Sequence, residues 1–90
     1  MTQQRYAVPE RVLVQEVQGE AVLLNLDSEQ YYALDRIGTR VWELLAAGRS
    51  AAEIRQELIG TYPAQAGRIA ADIDDLIASL LAAGLLQVRV

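Results

Sequence analysis

Gln30-Tyr31-Tyr32-Ala33-Leu34-Asp35-Arg36-Ile37-Gly38-Thr39-Arg40-Val41-Trp42-Glu43-Leu44-Leu45 is where the chain changes its hydrophobic period from two to about 3.6, and the change decides the fold. Before Asp35, Tyr32 and Leu34 share one face and Tyr31 and Ala33 the other, as in a short strand over residues 30–34. After it, Ile37, Val41, Leu44 and Leu45 line one side of a helix. Asp35 is placed to cap that helix and Gly48 to close it. Trp42 reads as a packing residue of the same helix.

Toward the N-terminus, residues 11–17 and 20–26 are rich in β-branched and aliphatic side chains, and Gln18-Gly19 between them is a tight-turn pair. Val12 and Val14 alternate with Leu13 and Gln15. Val22, Leu24 and Leu26 share one face and Leu23 and Asn25 the other. Asp27-Ser28-Glu29 is polar enough for a second turn, so the three strands form an antiparallel meander. Residues 1–10, polar and carrying Arg5 and Pro9, read as a flexible arm.

Toward the C-terminus, Ser50-Ala51-Ala52-Glu53 has the form of a capping box and opens a second helix carrying Ile54, Leu58 and Ile59. Residues 60–67, with Pro63, are expected to break the helical pattern. A third helix of about 18 residues then presents Ile69, Ile73, Leu76, Ile77, Leu80 and Leu81 on an apolar arc. Gly84 followed by Leu85 is a Schellman stop, and residues 85–90 are either a last short strand or a tail. The expected fold is α+β: one domain in the order βββααα, a three-stranded meander followed by three helices, with the outline of a winged helix-turn-helix.

Composition narrows the function. Ninety residues with 52% hydrophobic content suffice for one compact core. The chain has no cysteine, histidine or lysine, so thiolate, imidazole and Schiff-base chemistry are closed to it. Ser28, Ser50 and Ser79 have no such group to activate them, and no cofactor or metal is expected; Asp72 and Asp75 alone offer too few oxygens for a hard cation. All eight basic residues are arginine against twelve acidic ones, a net charge of −4, which disfavours a nucleic-acid partner. The opening residues lack a secretion-signal pattern and no apolar run approaches membrane-spanning length, so the expectation is a soluble cytoplasmic protein without a membrane partner.

Several stretches, taken in order, resemble PqqD-like proteins: Val22-Leu23-Leu24-Asn25-Leu26-Asp27, Tyr31-Tyr32-Ala33-Leu34-Asp35, Ile37-Gly38, Val41-Trp42-Glu43-Leu44-Leu45, Ala52-Glu53-Ile54 and Leu80-Leu81-Ala82-Ala83-Gly84-Leu85-Leu86. The resemblance spans roughly residues 8–86, and Pro9-Glu10-Arg11-Val12 makes it most similar to the stand-alone leader-binding proteins of lasso-peptide biosynthesis. It implies a non-catalytic recognition element that takes the leader segment of a ribosomally made precursor as an added antiparallel strand. That strand would lie beside the strand of residues 30–34, in a groove walled by the third helix. The implied partners are a leader peptidase, a transglutaminase-like cysteine protease, and a ring-forming cyclase, in the pathway to a peptide natural product of antibiotic type.

The residues support this reading separately. In a meander the third strand is an edge with unpaired backbone groups, and Gln30, Tyr31, Tyr32, Ala33 and Leu34 include no lysine or proline to guard it. On a helical wheel one shoulder of the third helix carries Arg68, Asp72, Asp75, Leu76 and Ser79, with Leu76 as pocket floor and the two aspartates set to read a basic or hydroxyl group. The opposite shoulder, Ala70, Asp74, Ala78 and Leu81, competes for the same place. Tyr32 reads mainly as core and Tyr31 as ligand-facing. The rival function is a DNA-binding winged helix using Arg55 and Gln56 of the second helix.

Overall fold

The computed structural model describes residues 4–89. Its main sheet has the order β2-β3-β4, formed by β2 (Val12–Val17), β3 (Glu20–Asn25) and β4 (Tyr31–Ala33). β2 and β3 pair from Val12↔Asn25 to Val17↔Glu20 around Gln18 and Gly19, both at positive φ, the geometry of a two-residue hairpin. β3 and β4 pair from Val22↔Ala33 to Leu24↔Tyr31. Asn25 Oδ1 organises the turn between them by accepting from the amides of Asp27 and Ser28 at 2.9 and 3.2 Å.

Three helices cover one face of this sheet, giving the expected α+β meander with helices. Asp35 caps α1 (Arg36–Ala46), its Oδ1 accepting from Gly38 N at 2.7 Å. The helix ends in a Schellman motif, with Arg49 N bonded to Leu44 O at 3.0 Å and Gly48 at φ 88°. Ser50 and Glu53 form the full capping box of α2 (Ala51–Thr61). The break that follows is shorter than residues 60–67: α2 continues through Gly60, a 3-10 turn occupies Pro63–Gln65, and α3 (Ala66–Ala82) takes in Gly67. Neither glycine has neighbours within 4 Å of where a Cβ would stand, so no close packing interrupts the helices there. Leu85 N closes α3 onto Leu80 O at 2.9 Å with Gly84 at φ 72°.

The core joins Leu23, Leu34, Val41, Trp42 and Leu45 to Ile54, Leu58, Ile69, Ile73, Leu80 and Leu85. The inward face of β3 is therefore Ala21 and Leu23. Val22, Leu13 and Val17, though aliphatic, face out. Thr39 anchors that edge: buried in α1, its hydroxyl accepts from Ala21 N at 2.9 Å, continuing the hydrogen bonding of the strand where β4 has ended.

The loose arm needs correction over its described part. β1 (Tyr6–Ala7) pairs with β5 (Gln87–Val88), so the last segment is a strand and both ends of the chain are tied together. Arg5 adds a clamp, donating to Gly48 O and to Glu53 Oε1, the latter at 3.0 Å. The partners lie more than forty residues away, beyond what local pattern reveals. Met1, Thr2, Gln3 and Val90, the outermost residues of the arm and of the tail, lie outside the described residues.

Candidate functional site: a groove between an open strand edge and the third helix

β4 is an edge. Among the described residues only β3 pairs with it. The hydrogen bonds Asn25 N to Gln30 O, at 2.9 Å, and Leu34 N to Ala21 O, at 2.8 Å, fix which groups are used. In an antiparallel ladder alternate residues turn their amide and carbonyl toward opposite sides of the strand. Tyr32 therefore turns both its groups toward β3, where Gln30 spends its carbonyl and Leu34 its amide. Tyr31 and Ala33 direct theirs to the open edge, two donors and two acceptors.

Beside that edge lies a groove of about 490 Å³ between β4, the start of α1 and one flank of α3. Its floor is apolar: Leu34, Ile37, Val41, Ile69, Ile73 and Leu76. Its rim is polar, with Asp35, Gln65, Arg68, Asp72, Asp75 and Ser79. Gly38, at the head of α1, keeps the floor open, since a Cβ there would stand 3.1 Å from Asp35 Oδ1 and 3.4 Å from Leu34 Cδ2.

The structure brings together most of the residues singled out from sequence. Tyr32, Ala33, Leu34, Arg68, Asp72, Asp75, Leu76 and Ser79 all border the groove. The opposite shoulder of α3 turns away, and Asp74 there meets Arg55 of α2 at 3.1 Å. Gln30 and Tyr31 do not line the cavity. Tyr32 lies opposite the buried Leu23 and packs against the core, as expected, while also bordering the groove, whereas Tyr31 lies opposite Leu24 on the outer face, 73% exposed and away from the groove. Only the phase of the β3–β4 pairing decides this. Sequence reasoning missed Ile37, Val41, Ile69 and Ile73 as groove residues because a helical wheel marks them as core, which they also are. Asp35 was legible as a cap but not as rim.

The rim carries three carboxylates against one guanidinium. Arg68 Nε lies 3.5 Å from Asp72 Oδ2, which leaves two rim carboxylates without a cation partner among the described residues, Asp35, engaged as the α1 cap, and Asp75. Among those residues no three potential metal-ligating side chains converge. The arrangement suits an extended peptide: backbone groups from Tyr31 and Ala33, an apolar floor for side chains, and a rim favouring positive charge.

The family model of coenzyme PQQ synthesis protein D, PqqD, matches residues 20–86, which contain β3, β4 and all of the groove. Among solved structures, TbiB1 in complex with the TbiA(β) leader peptide is similar at 29% identity, covering 89% of this chain and 93% of its own, with a TM-score of 0.80. Lasso peptide synthetase B1 complexed with its leader peptide shares the fold at 24% identity, over 91% of this chain and 96% of its own, with a TM-score of 0.79. No curated protein matches the chain.

Proposed function

Because the chain belongs to the PqqD family, we propose that it is a non-catalytic recognition element that binds the leader segment of a ribosomally made precursor peptide in lasso-peptide biosynthesis. The observation that carries this reading is the unpaired β4 edge lying beside an apolar groove. TbiB1, similar over nearly its whole length, holds a leader peptide. The leader adds as an antiparallel strand along Gln30, Tyr31, Tyr32, Ala33 and Leu34, against Arg68, Asp72, Asp75, Leu76 and Ser79 of α3.

Magnitudes divide the work between backbone and side chains. Four backbone hydrogen bonds at a net ~0.5–1.5 kcal/mol each roughly offset the ordering of a few flexible residues at about 1–2 kcal/mol each. Affinity must then come from leader side chains on the apolar floor, at ~1.5–3 kcal/mol apiece. Three of them near the top of that range bring binding to the micromolar range, on the order of −8 kcal/mol.

The bound leader is delivered to a separate leader peptidase of the transglutaminase-like cysteine protease class and to a cyclase, in the cytoplasm where precursors are translated. No cofactor takes part. A duplex-DNA role is disfavoured by the same groove, whose rim would repel phosphate. The test is fluorescence polarisation with a labelled leader peptide from the precursor encoded beside the chain's own gene, with the TbiA(β) leader as a second probe. Micromolar or tighter binding is expected. A folded protein that binds neither peptide, or that instead shifts duplex DNA in a salt-dependent way, would overturn the proposal.

A further inference from the structure

The sheet has a second apolar surface, its outer face, turned away from the helices, and we infer that a second copy of this chain stacks on it face to face with its strands reversed. Strand pairing fixes which residues share that face. Leu13, Leu24 and Tyr31 form one row across the three strands, and Gln15, Val22 and Ala33 form the next. Val17 and Glu20 close the hairpin tip, and Arg11 and Leu26, joined by Leu26 N to Arg11 O at 2.8 Å, close the other end. Leu13, Val17 and Val22 are 54%, 60% and 42% exposed, and Tyr31 more so.

Charge and size indicate what covers these side chains. The face carries a cation, Arg11, at one end and an anion, Glu20, at the other, so it complements itself only when reversed. Arg11 Nε bonds Asp27 Oδ1 at 2.7 Å, and the guanidinium has further donors to offer. In the reversed stack Arg11 lies beside Glu20 of the second copy at both ends. Leu24 then lies over Val22 of the second copy, and the bulky Tyr31 over its small Ala33. With strands running the same way, Glu20 of the central strand would meet its own equivalent and repel it. Strands ~4.8 Å apart with a rise of ~3.4 Å per residue make the face roughly 14 Å by 20 Å. Two such faces with projecting side chains bury on the order of 1,000 Å², the low end of specific pairing. The dimer is therefore reversible, with a dissociation constant between micromolar and millimolar. It uses neither the β4 edge nor the groove.

Sedimentation velocity over that concentration range should show a reversible rise from monomer to dimer and no larger species, because a two-fold pairing closes on itself. Leu13→Glu should weaken dimerisation at least about tenfold while circular dichroism and leader binding stay unchanged. Arg11→Glu and Glu20→Arg should each weaken it about three- to tenfold. An equimolar mixture of R11E and E20R should restore it, since each then supplies the charge the other lacks. The chain has no cysteine, so Val22→Cys introduces the only thiol, and a short bismaleimide should join V22C into dimers but not Q56C, on the helical side. A chain that stays monomeric throughout, a dimer indifferent to L13E, or crosslinking through Q56C and not V22C would overturn the surface. Dimerisation without rescue in the mixture would overturn the reversed stacking. None of these results bears on leader binding, whose own failure would leave the dimer standing.

Discussion

Two side chains show how single residues divide the work. Thr39 carries stability: its hydroxyl completes the hydrogen bonding of Ala21 inside the core. Thr39→Val keeps the shape and removes the acceptor, stranding a buried amide at a cost of about 1–3 kcal/mol. Chemical denaturation at neutral pH should show that loss, whereas an unchanged midpoint would mean the amide finds another partner. Leu76 carries recognition. It is half-buried on the groove floor, so Leu76→Ala should weaken leader binding by about 1–2 kcal/mol in a titration while the fold, followed by circular dichroism, stays intact. Asp75 adds selectivity for charge: Asp75→Asn should lower affinity for leaders carrying lysine or arginine, and flatten the salt dependence of their binding, while leaving neutral leaders unaffected.

Among the elements, α2 is held at its start and α3 at its end by specific contacts. Ser50 is fully buried and closes both halves of its capping box with Glu53. The Glu53 carboxyl is held below the ordinary glutamate range, first by the Ser50 backbone amide and then by the charge of Arg5. A lowered carboxyl pKa stabilises the fold above the ordinary value and ceases to do so as pH falls through the lowered one. Glu53→Gln should therefore make denaturation midpoints less sensitive to pH across the acid range, and an acid limb as steep as the original would show that other carboxylates govern it. At the far end of α3, Gly84 sits at φ 72° with Asn25 Nδ2 bonded to its carbonyl at 2.8 Å. A Cβ at that position would lie 2.9 Å from the same Nδ2. Gly84→Ala should thus cost more than the ~1–2 kcal/mol of left-handed strain alone, because the link between the β3–β4 turn and α3 must shift as well.

For the molecule as a whole, sheet edge and helical wall belong to one folded unit, and occupancy of the groove must couple to global stability. A leader at a hundred times its dissociation constant should stabilise the fold by about 2.7 kcal/mol, a rise in melting temperature of several degrees for a domain of this size, readable by calorimetry. The sequence alone determined the order of the three-stranded meander and the three helices, the capping of α1 and α2, the Schellman stop at Gly84 and the absence of side chains for thiolate or imidazole chemistry, since all of these follow from local spacing and residue type. It left two shoulders of α3 in competition, and only the packed structure put Arg68, Asp72, Asp75, Leu76 and Ser79 on the groove and turned Asp74 toward Arg55. The inward face of the sheet was decided only by tertiary structure. Both faces of β2 and β3 are rich in aliphatic residues, so hydrophobicity could not choose between them, and the packing of the helices on Ala21 and Leu23 shows which face is buried. The placing of Tyr32 on the groove and of Tyr31 on the outer face, and the pairing of Tyr6–Ala7 with Gln87–Val88, were likewise tertiary decisions. Strand phase and long-range pairing are set by contacts between segments far apart in the chain, and periodicity within one segment does not carry that information.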